Sequence, residues 1–218
     1  MRASCRAGNV CATRFSFRDT CLALDTATIT PAYTLSDHWV DQARRVPSPN
    51  CNERPDPADI SLIVIHNISL PPNRFGGAYI DQLFSNCLDP AEHPYFAEIA
   101  DLRVSSHFLL RRDGELVQYV PCDKRAWHAG RSQWCGRENC NDFALGIELE
   151  GTDDVPYTDI QYRCLAALIR TLRQYYPGIA ADAITGHEHI APGRKTDPGP
   201  SFDWDALEAR LAKEESRL

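Results

Sequence analysis

One run constrains the fold more than any other feature of this sequence. Residues 61–66 read Ser-Leu-Ile-Val-Ile-His, with four aliphatic residues in succession. Successive branched aliphatic residues without polar alternation are typical of a strand that is buried on both faces. Strands of this kind lie at the centre of sheets that helices cover, so we expect a sheet with flanking helices. The run also places His66 at the carboxyl end of the strand, where open α/β sheets bind ligands.

Strand and helix patterns follow one another along the rest of the chain. Residues 107–111 and 115–120 have strand character and flank an Asp-Gly dipeptide, which favours a hairpin turn. Residues 143–150 predict a further strand, and apolar residues recur every three or four positions between 157 and 176, which predicts a helix. The pattern therefore predicts a single α/β domain at residues 37–218, built on a central mixed β-sheet flanked by α-helices.

Two stretches of this domain have neither periodicity. We expect residues 89–100 to form either a loop or a lid over a site. Residues 126–142 predict a long loop that is rich in Trp, His, Gly and Arg. Long loops inside compact domains usually carry function, so we expect the functional site to lie beside them.

The composition excludes two classes of partner. The 218 residues suit one domain of ordinary size, and a hydrophobic content of 43% is typical of globular proteins. The net charge of −7 argues against nucleic acid and anionic membranes, because both select for basic surfaces. No apolar run approaches the ~18 residues of a membrane span. We expect a monomer that binds neither nucleic acid nor membrane.

The N-terminus and the cysteines favour a cytoplasmic protein. Residues 1–36 contain no apolar stretch of the ~7–15 residues that a signal peptide needs, and we expect them to form a poorly ordered extension. The chain has nine cysteines, an odd number that cannot all be paired within it. None of them form a C-x-x-C pair, which disfavours a zinc ribbon or a thioredoxin motif. Scattered cysteines of this kind are typical of reduced thiols in the cytoplasm.

Three residues could share a metal ion. His66 and His187 each end a strand-like segment, and Asp197 lies in Lys-Thr-Asp-Pro-Gly-Pro, where prolines and glycine restrict the backbone. Two imidazoles and one carboxylate suit zinc with its fourth position left to water, as in catalytic sites. Because the two histidines are far apart in sequence, spacing alone also allows each to be satisfied by an ordinary hydrogen bond.

A metal hydrolase also needs a base, and residues 145–150 alternate aliphatic side chains with Gly or Glu. This alternation puts Glu148 and Glu150 on the same face of a strand. If the aliphatic residues face the core, either glutamate can accept a proton in a cleft, or both can belong to a solvated face. Lys195 could stabilise an oxyanion near Asp197, or it could be an ordinary surface lysine.

Five motifs, in order, carry a resemblance to a known family: VIHNISLPP at residues 64–72, RRDGE at 111–115, WHAG at 127–130, GIELEG at 146–151, and GH at 186–187 followed by RKTDPGP at 194–200. With these motifs the chain resembles the type 2 amidases of the peptidoglycan-recognition superfamily. Within them it is similar to the cytoplasmic 1,6-anhydro-N-acetylmuramoyl-L-alanine amidases. The resemblance runs from residue 39 to residue 204.

The resemblance implies a role for each candidate residue. His66, His187 and Asp197 match the family's ligands for one Zn²⁺ ion per chain. Glu148 matches the catalytic glutamate, and Lys195 matches the lysine that stabilises the transition state. Four further positions match substrate contacts: Arg103, Trp127, Asn141 and Ala191.

The same resemblance implies the reaction. The family cleaves the amide bond between 1,6-anhydro-N-acetylmuramic acid and L-alanine in cytoplasmic muropeptides, as part of cell-wall recycling. Two alternatives stay open, an amidase that acts on intact peptidoglycan and a peptidoglycan-binding module without catalysis. The presence of all three ligand residues together with Glu148 and Lys195 favours an enzyme over a binding module.

Overall fold

The computed structural model describes residues 32–215 of the chain. The strands are β1 (Leu35–Ser36), β2 (Trp39–Val40), β3 (Arg44–Arg45), β4 (Cys51–Glu53), β5 (Leu62–Ile68), β6 (Phe108–Leu110), β7 (Leu116–Gln118), β8 (Lys124–Ala126), β9 (Gln133–Trp134), β10 (Arg137–Glu138), β11 (Ala144–Glu150) and β12 (Ile184–Gly186). The helices are α1 (Tyr79–Phe84), α2 (Pro94–Glu98), α3 (Asp159–Tyr175), α4 (His187–Ile190) and α5 (Trp204–Glu215), and a 3₁₀ turn spans Cys140–Asp142. The predicted extension lies mostly outside the described residues, and its last two residues form β1, which pairs with β2.

The central sheet has six strands in the order β12-β5-β11-β6-β7-β3. β12, β5, β11 and β6 run parallel to one another, whereas β7 is antiparallel to β6, so the sheet is mixed as predicted. β5 lies between two parallel neighbours, and its residues from Leu62 to Ile65 are fully buried. The branched aliphatic run therefore forms a central strand.

Helices cover both faces of this sheet. One apolar cluster joins Ile147 of β11 to Leu165 and Leu168 of α3. A second cluster joins Phe96 of α2 to Leu109 of β6. Leu109 lies opposite Glu148 in the β6–β11 register, and side chains in register share a face of the sheet. Even-numbered residues of β11 therefore point toward the α1–α2 side, and the odd-numbered ones toward α3.

Local signals explain where the helices begin. The Thr158 side chain accepts a hydrogen bond from the Gln161 backbone N–H, and the Gln161 side chain accepts one from the Thr158 backbone N–H, which is a capping box at the start of α3. At α2, the His93 side chain accepts from the Tyr95 N–H, and Pro94 occupies the first turn, where a missing N–H costs nothing. The predicted helix at residues 157–176 is confirmed to within two residues at each end.

Three details differ from the sequence predictions. Residues 89–100, expected as a loop, contain α2, because His93 and Pro94 together supply an N-terminal cap. Residues 126–142 contain the β9–β10 hairpin and the 3₁₀ turn rather than an unstructured loop. β5 continues two residues beyond His66, because β11 extends with it as far as Glu150. Among the described residues, no helix combines the length and apolar character needed to cross a membrane.

Candidate active site

Three neighbouring strands bring the candidate residues to one level of the sheet. β5 and β11 pair so that His66 lies opposite Glu148, and β12 pairs with β5 so that Gly186 lies opposite Ile65. His187 follows Gly186 directly and begins α4. The parallel register therefore places His66, Glu148 and His187 beside one another near the carboxyl ends of their strands.

The loop after α4 adds Asp197 to this group. The backbone N–H of Glu188 donates to the Asp197 carbonyl oxygen at 2.9 Å, and Asn67 Nδ2 donates to the Pro198 carbonyl oxygen at 3.1 Å. A Cβ atom at Gly186 would lie 2.8 Å from Cδ of Pro198, which is closer than carbon atoms pack. Glycine at this position therefore lets the loop approach the strand end and present its carboxylate.

The donor atoms of three residues converge. His66 Nδ1, His187 Nδ1 and Asp197 Oδ2 are separated by 3.0 Å in each pair. Ligand atoms on a tetrahedral zinc ion at about 2.0–2.1 Å lie roughly 3.3 Å apart. The triangle therefore has nearly the size of one face of a zinc coordination tetrahedron, and these are the residues that the sequence singled out.

The far nitrogens of both histidines are engaged. His187 Nε2 lies 3.1 Å from the carbonyl oxygen of Ala129, which can only accept a hydrogen bond. His66 Nε2 lies 2.9 Å from Nδ1 of His128. Burial lowers the pKa of His66 to about 4, so its imidazole is neutral near pH 7, the form in which histidine binds metals. Burial, and then the neighbouring His66, lower the pKa of His128 well below its ordinary value.

Glu148 is buried beside this triangle with an unsatisfied carboxylate. Its Oε2 atom has no hydrogen-bond partner in the described part of the chain. Burial raises the pKa of Glu148 well above its ordinary value, the negative charge of Asp197 adds to the increase, and Lys195 opposes it. A carboxylate whose pKa is raised is a stronger base than an ordinary one, so it can accept a proton from a reacting molecule more readily.

Glu150 lies on the same face but away from the opening. Its carboxylate accepts from the Gly76 backbone N–H at 2.6 Å and from Arg111 Nη1 at 3.3 Å. Of the two glutamates that the alternation placed on one face as candidate bases, Glu148 lines the cavity, whereas Glu150 does not. Loop and arginine side chains from neighbouring elements cover it, which the alternation within β11 could not show.

A cavity of about 550 Å³ opens above these residues. Its polar part includes His66, Glu148, His187, Lys195 and Asp197. Its apolar part comes mainly from the segments around α1 and α2, with Ile68, Leu70, Leu83, Phe84, Tyr95, Ile99, Leu102, Val104 and Trp127. The cavity thus places a patch of titratable side chains against a broad apolar wall.

The predicted substrate contacts occupy different places. Trp127 lines the cavity, and its Nε1 donates to Asn52 Oδ1 at 2.7 Å. Arg103 is exposed and donates to the carbonyl oxygens of Ala100 and Leu102 beside the cavity wall. Asn141 and Ala191 are buried and do not line the cavity.

Sequence reasoning missed the contact between His128 and Gly146. The ring of His128 packs closely against β11, since a Cβ atom at Gly146 would lie only 2.6 Å from Cγ of His128. The WHAG and GIELEG motifs contain this pair, so both residues were visible in the sequence. Nothing in either motif indicates that one packs on the other, since 18 positions separate them in the numbering.

Comparison with known proteins agrees with this geometry. The N-acetylmuramoyl-L-alanine amidase family matches residues 56–200, which include every residue of the candidate site. The chain belongs to this amidase family. A 1,6-anhydro-N-acetylmuramyl-L-alanine amidase, AmpD, of Salmonella typhimurium (strain SL1344) is 64% identical over 174 residues, which cover 80% of this chain and 92% of that protein.

Solved structures show the same fold. A crystal structure of a selenomethionine AmpD derivative matches with a TM-score of 0.80 and 61% identity, over 82% of this amidase and 99% of that chain. A crystal structure of AMPDH3 from Pseudomonas aeruginosa in complex with anhydromuramic pentapeptide matches with a TM-score of 0.52 and 26% identity, over 73% of this chain and 62% of that one. The fold predicted from the sequence is therefore confirmed as that of the type 2 amidases.

Proposed function

We propose that this amidase is a zinc-dependent hydrolase that cleaves the amide bond between 1,6-anhydro-N-acetylmuramic acid and L-alanine in cytoplasmic muropeptides, for cell-wall recycling. The convergence of three donor atoms beside the buried carboxylate of Glu148 is the observation that supports it most. The Salmonella relative is named for this substrate, and the Pseudomonas protein was crystallised with an anhydromuramic pentapeptide.

The donor set itself supports a metal ion. His187 Nε2 must donate to the Ala129 carbonyl oxygen, so a neutral His187 carries no proton on Nδ1. With His66 in the same tautomer, two nitrogen lone pairs and the Asp197 carboxylate converge with no proton between them. Such a cluster repels itself unless a cation lies at its centre. Two imidazole nitrogens and one carboxylate oxygen are ligands that catalytic zinc prefers, so His66, His187 and Asp197 would hold one Zn²⁺.

A zinc ion in such a site supplies Lewis acidity, which polarises a carbonyl group and makes water more acidic. Glu148 accepts a proton from a water molecule while the oxygen of that water forms a bond to the lactyl carbonyl carbon of the muramic acid. Glu148 then delivers that proton to the nitrogen of L-alanine as the carbon–nitrogen bond breaks. The raised pKa of Glu148 suits the first step, because a carboxylate with a raised pKa is a stronger base than an ordinary one.

Lys195 supports the developing charge. It lines the cavity and is close enough to Glu148 and His66 to influence the pKa of both. Its ammonium group makes no ion pair within the described residues, so it is available for the carbonyl oxygen of the substrate as negative charge builds there. Trp127 offers an aromatic surface for the sugar or the peptide, and Arg103 at the rim offers a cation for a peptide carboxylate.

The cysteines favour the cytoplasm as the place of this reaction. The six cysteines of the described residues are free thiols, which is the state that a reducing compartment maintains. We propose that the enzyme acts there as a monomer on soluble fragments.

The test is mass spectrometry of a soluble anhydromuramoyl tripeptide incubated with the purified enzyme, with and without a chelator. We expect separated anhydro-sugar and peptide products, no products after chelation, and recovery when zinc is added back. Intact sacculi in a parallel reaction test the alternative, and faster cleavage of sacculi than of the soluble fragment would contradict the proposed substrate.

The metal assignment has its own test. Elemental analysis should find one zinc per wild-type chain and far less than one in Asp197→Ala, because the variant loses one of three ligands. Asp153→Ala is the matched control, since this neighbouring carboxylate also lines the cavity but lies outside the donor triangle. Full zinc occupancy in Asp197→Ala would show that the ligand set is wrong.

A further inference from the structure

The two-residue segment of His128 and Ala129 contacts both candidate histidine ligands. Nδ1 of the His128 side chain lies 2.9 Å from Nε2 of His66. The next residue, Ala129, accepts a hydrogen bond through its carbonyl oxygen from Nε2 of His187 at 3.1 Å. Residues 128 and 129 therefore touch the two imidazoles on the sides that face away from Asp197.

A single buried side chain holds this segment in place. Asn141 Oδ1 accepts from the His128 backbone N–H at 3.1 Å and from the Ala129 backbone N–H at 2.8 Å. Asn141 belongs to the 3₁₀ turn that leads into β11, the strand that carries Glu148. The same turn therefore fixes the segment behind the histidines and the start of the strand beside them.

Packing fixes the His128 ring itself. The ring lies against Gly146, where any larger side chain would overlap it. Its plane is nearly perpendicular to that of His66, at 83°, so Nδ1 of His128 points toward the edge of the His66 ring. The position of Nδ1 of His128 is therefore set by β11 and not by solvent.

We propose that Asn141, His128 and the Ala129 carbonyl form an orienting unit that holds both histidines with their Nδ1 atoms turned toward Asp197. The inference rests on the proposed metal site. It assigns positioning roles to His128 and Asn141, and it gives Asn141 a role other than the substrate contact that the sequence resemblance implies.

The physical reason is the choice between two tautomers. A neutral imidazole carries its proton on either nitrogen, and only the nitrogen without the proton can bind a metal. An acceptor fixed behind each ring holds the proton on Nε2 and leaves the Nδ1 lone pair facing the centre. Partners of this kind typically change metal affinity by about 10–100-fold.

The experiment measures zinc affinity by chelator competition, and the visible spectrum of the cobalt-substituted protein, for two His128 variants. His128→Phe keeps the ring shape without an acceptor, and we expect about 10–100-fold weaker zinc binding and an altered cobalt spectrum. His128→Asn places an amide oxygen near the position of Nδ1, and we expect affinity within a few fold of wild type. Equal affinity in His128→Phe and wild type would overturn the proposal.

His107→Phe is the matched control. His107 is also buried and packs edge-on against His128, but it bonds the Gly146 N–H and the Lys124 carbonyl rather than a candidate ligand. We expect this variant to lose thermal stability while keeping zinc affinity within about threefold of wild type, since it leaves both acceptors in place. Equal loss of affinity in His107→Phe and His128→Phe would show a general packing effect and overturn the proposal.

Variants of Asn141 test the other end of the unit. Asn141→Leu removes the acceptor for both backbone N–H groups and should weaken zinc binding, whereas Asn141→Asp retains an oxygen at that position and should restore it. If both bind zinc as wild type does, Asn141 does not position the ligands. A wild-type chain that binds no zinc would overturn the proposed function itself, which separates that failure from failure of the orienting unit.

Discussion

Glu148 and Glu150 are two residues apart on the same face of β11, and both are buried, with 8% and 2% of their surface exposed. Their surroundings are nevertheless opposite. The carboxylate of Glu150 has Arg111 beside it and accepts backbone N–H groups of Gly76 and Arg112. The carboxylate of Glu148 faces the cavity, and its Oε2 atom is without a partner among the residues described.

The difference shows how one strand serves two purposes. A buried carboxylate with a guanidinium and two N–H donors has its hydrogen-bonding capacity satisfied and joins elements of the fold. A buried carboxylate without such donors has a raised pKa and can exchange a proton with substrate. The covering elements, and not the strand itself, decide which glutamate faces the cavity.

The largest expected effect is on catalysis at Glu148. Glu148→Gln keeps the shape of the side chain but cannot accept a proton, so we expect kcat to fall roughly 10³–10⁴-fold. The free energy of unfolding near pH 7 should equal or exceed that of wild type, because the variant removes an unpaired acidic group from a buried position. Turnover of the anhydromuramoyl peptide and thermal unfolding measure the two quantities. Turnover within tenfold of wild type would remove Glu148 from the role of base.

The next largest effect is on folding at Arg111, the partner of Glu150. Arg111→Met leaves the Glu150 carboxylate buried without its guanidinium, and we expect a loss of about 3–5 kcal/mol in the free energy of unfolding. The double variant with Glu150→Gln should recover part of that loss, because no unpaired charge remains. Urea unfolding of both variants gives the comparison, and a double variant less stable than Arg111→Met would contradict it.

Lys195 gives a smaller effect on the catalytic side. Lys195→Met removes the cation that faces Glu148 and the substrate oxygen, and we expect kcat to fall about 10²–10³-fold while zinc content is unchanged. Lys124→Met is the matched control, because that lysine is paired with Glu53 at the surface. A fall in zinc content that matches the fall in kcat would show that Lys195 acts through the metal site instead.

The sequence predicted the central strand, the hairpin and the long helix because each depends on neighbouring residues. The run at residues 61–66 specifies a buried strand wherever it lies, and the capping residues at Thr158 define a helix start locally. Patterning also selected His66, His187 and Asp197 as a possible ligand set. The triangle of donor atoms still needed the structure, since the distance between His66 and His187 depends on the pairing of β5 with β12.

Other features depend on contacts between distant segments and left no local signal. The burial of Glu150 requires Gly76 and Arg111 to fold over it, and the position of His128 requires Gly146 to lie beneath it. Alternation along β11 therefore could not separate the two glutamates. The resemblance to the amidases implies the choice of Glu148, and the structure supplies the physical reason for it.

Glu150→Gln provides the smallest effect and the sharpest control for Glu148→Gln, because the same chemical change is made two residues away. We expect about 1.5–3 kcal/mol lower stability, since the amide loses charge-assisted hydrogen bonds from Arg111 and the backbone. We expect kcat within tenfold of wild type, because this carboxylate does not reach the cavity. Urea unfolding and turnover should thus give opposite rankings for the two variants. If Glu150→Gln lost activity as severely as Glu148→Gln while remaining stable, the division of roles between the two carboxylates would be wrong. Both glutamates would then take part in the reaction.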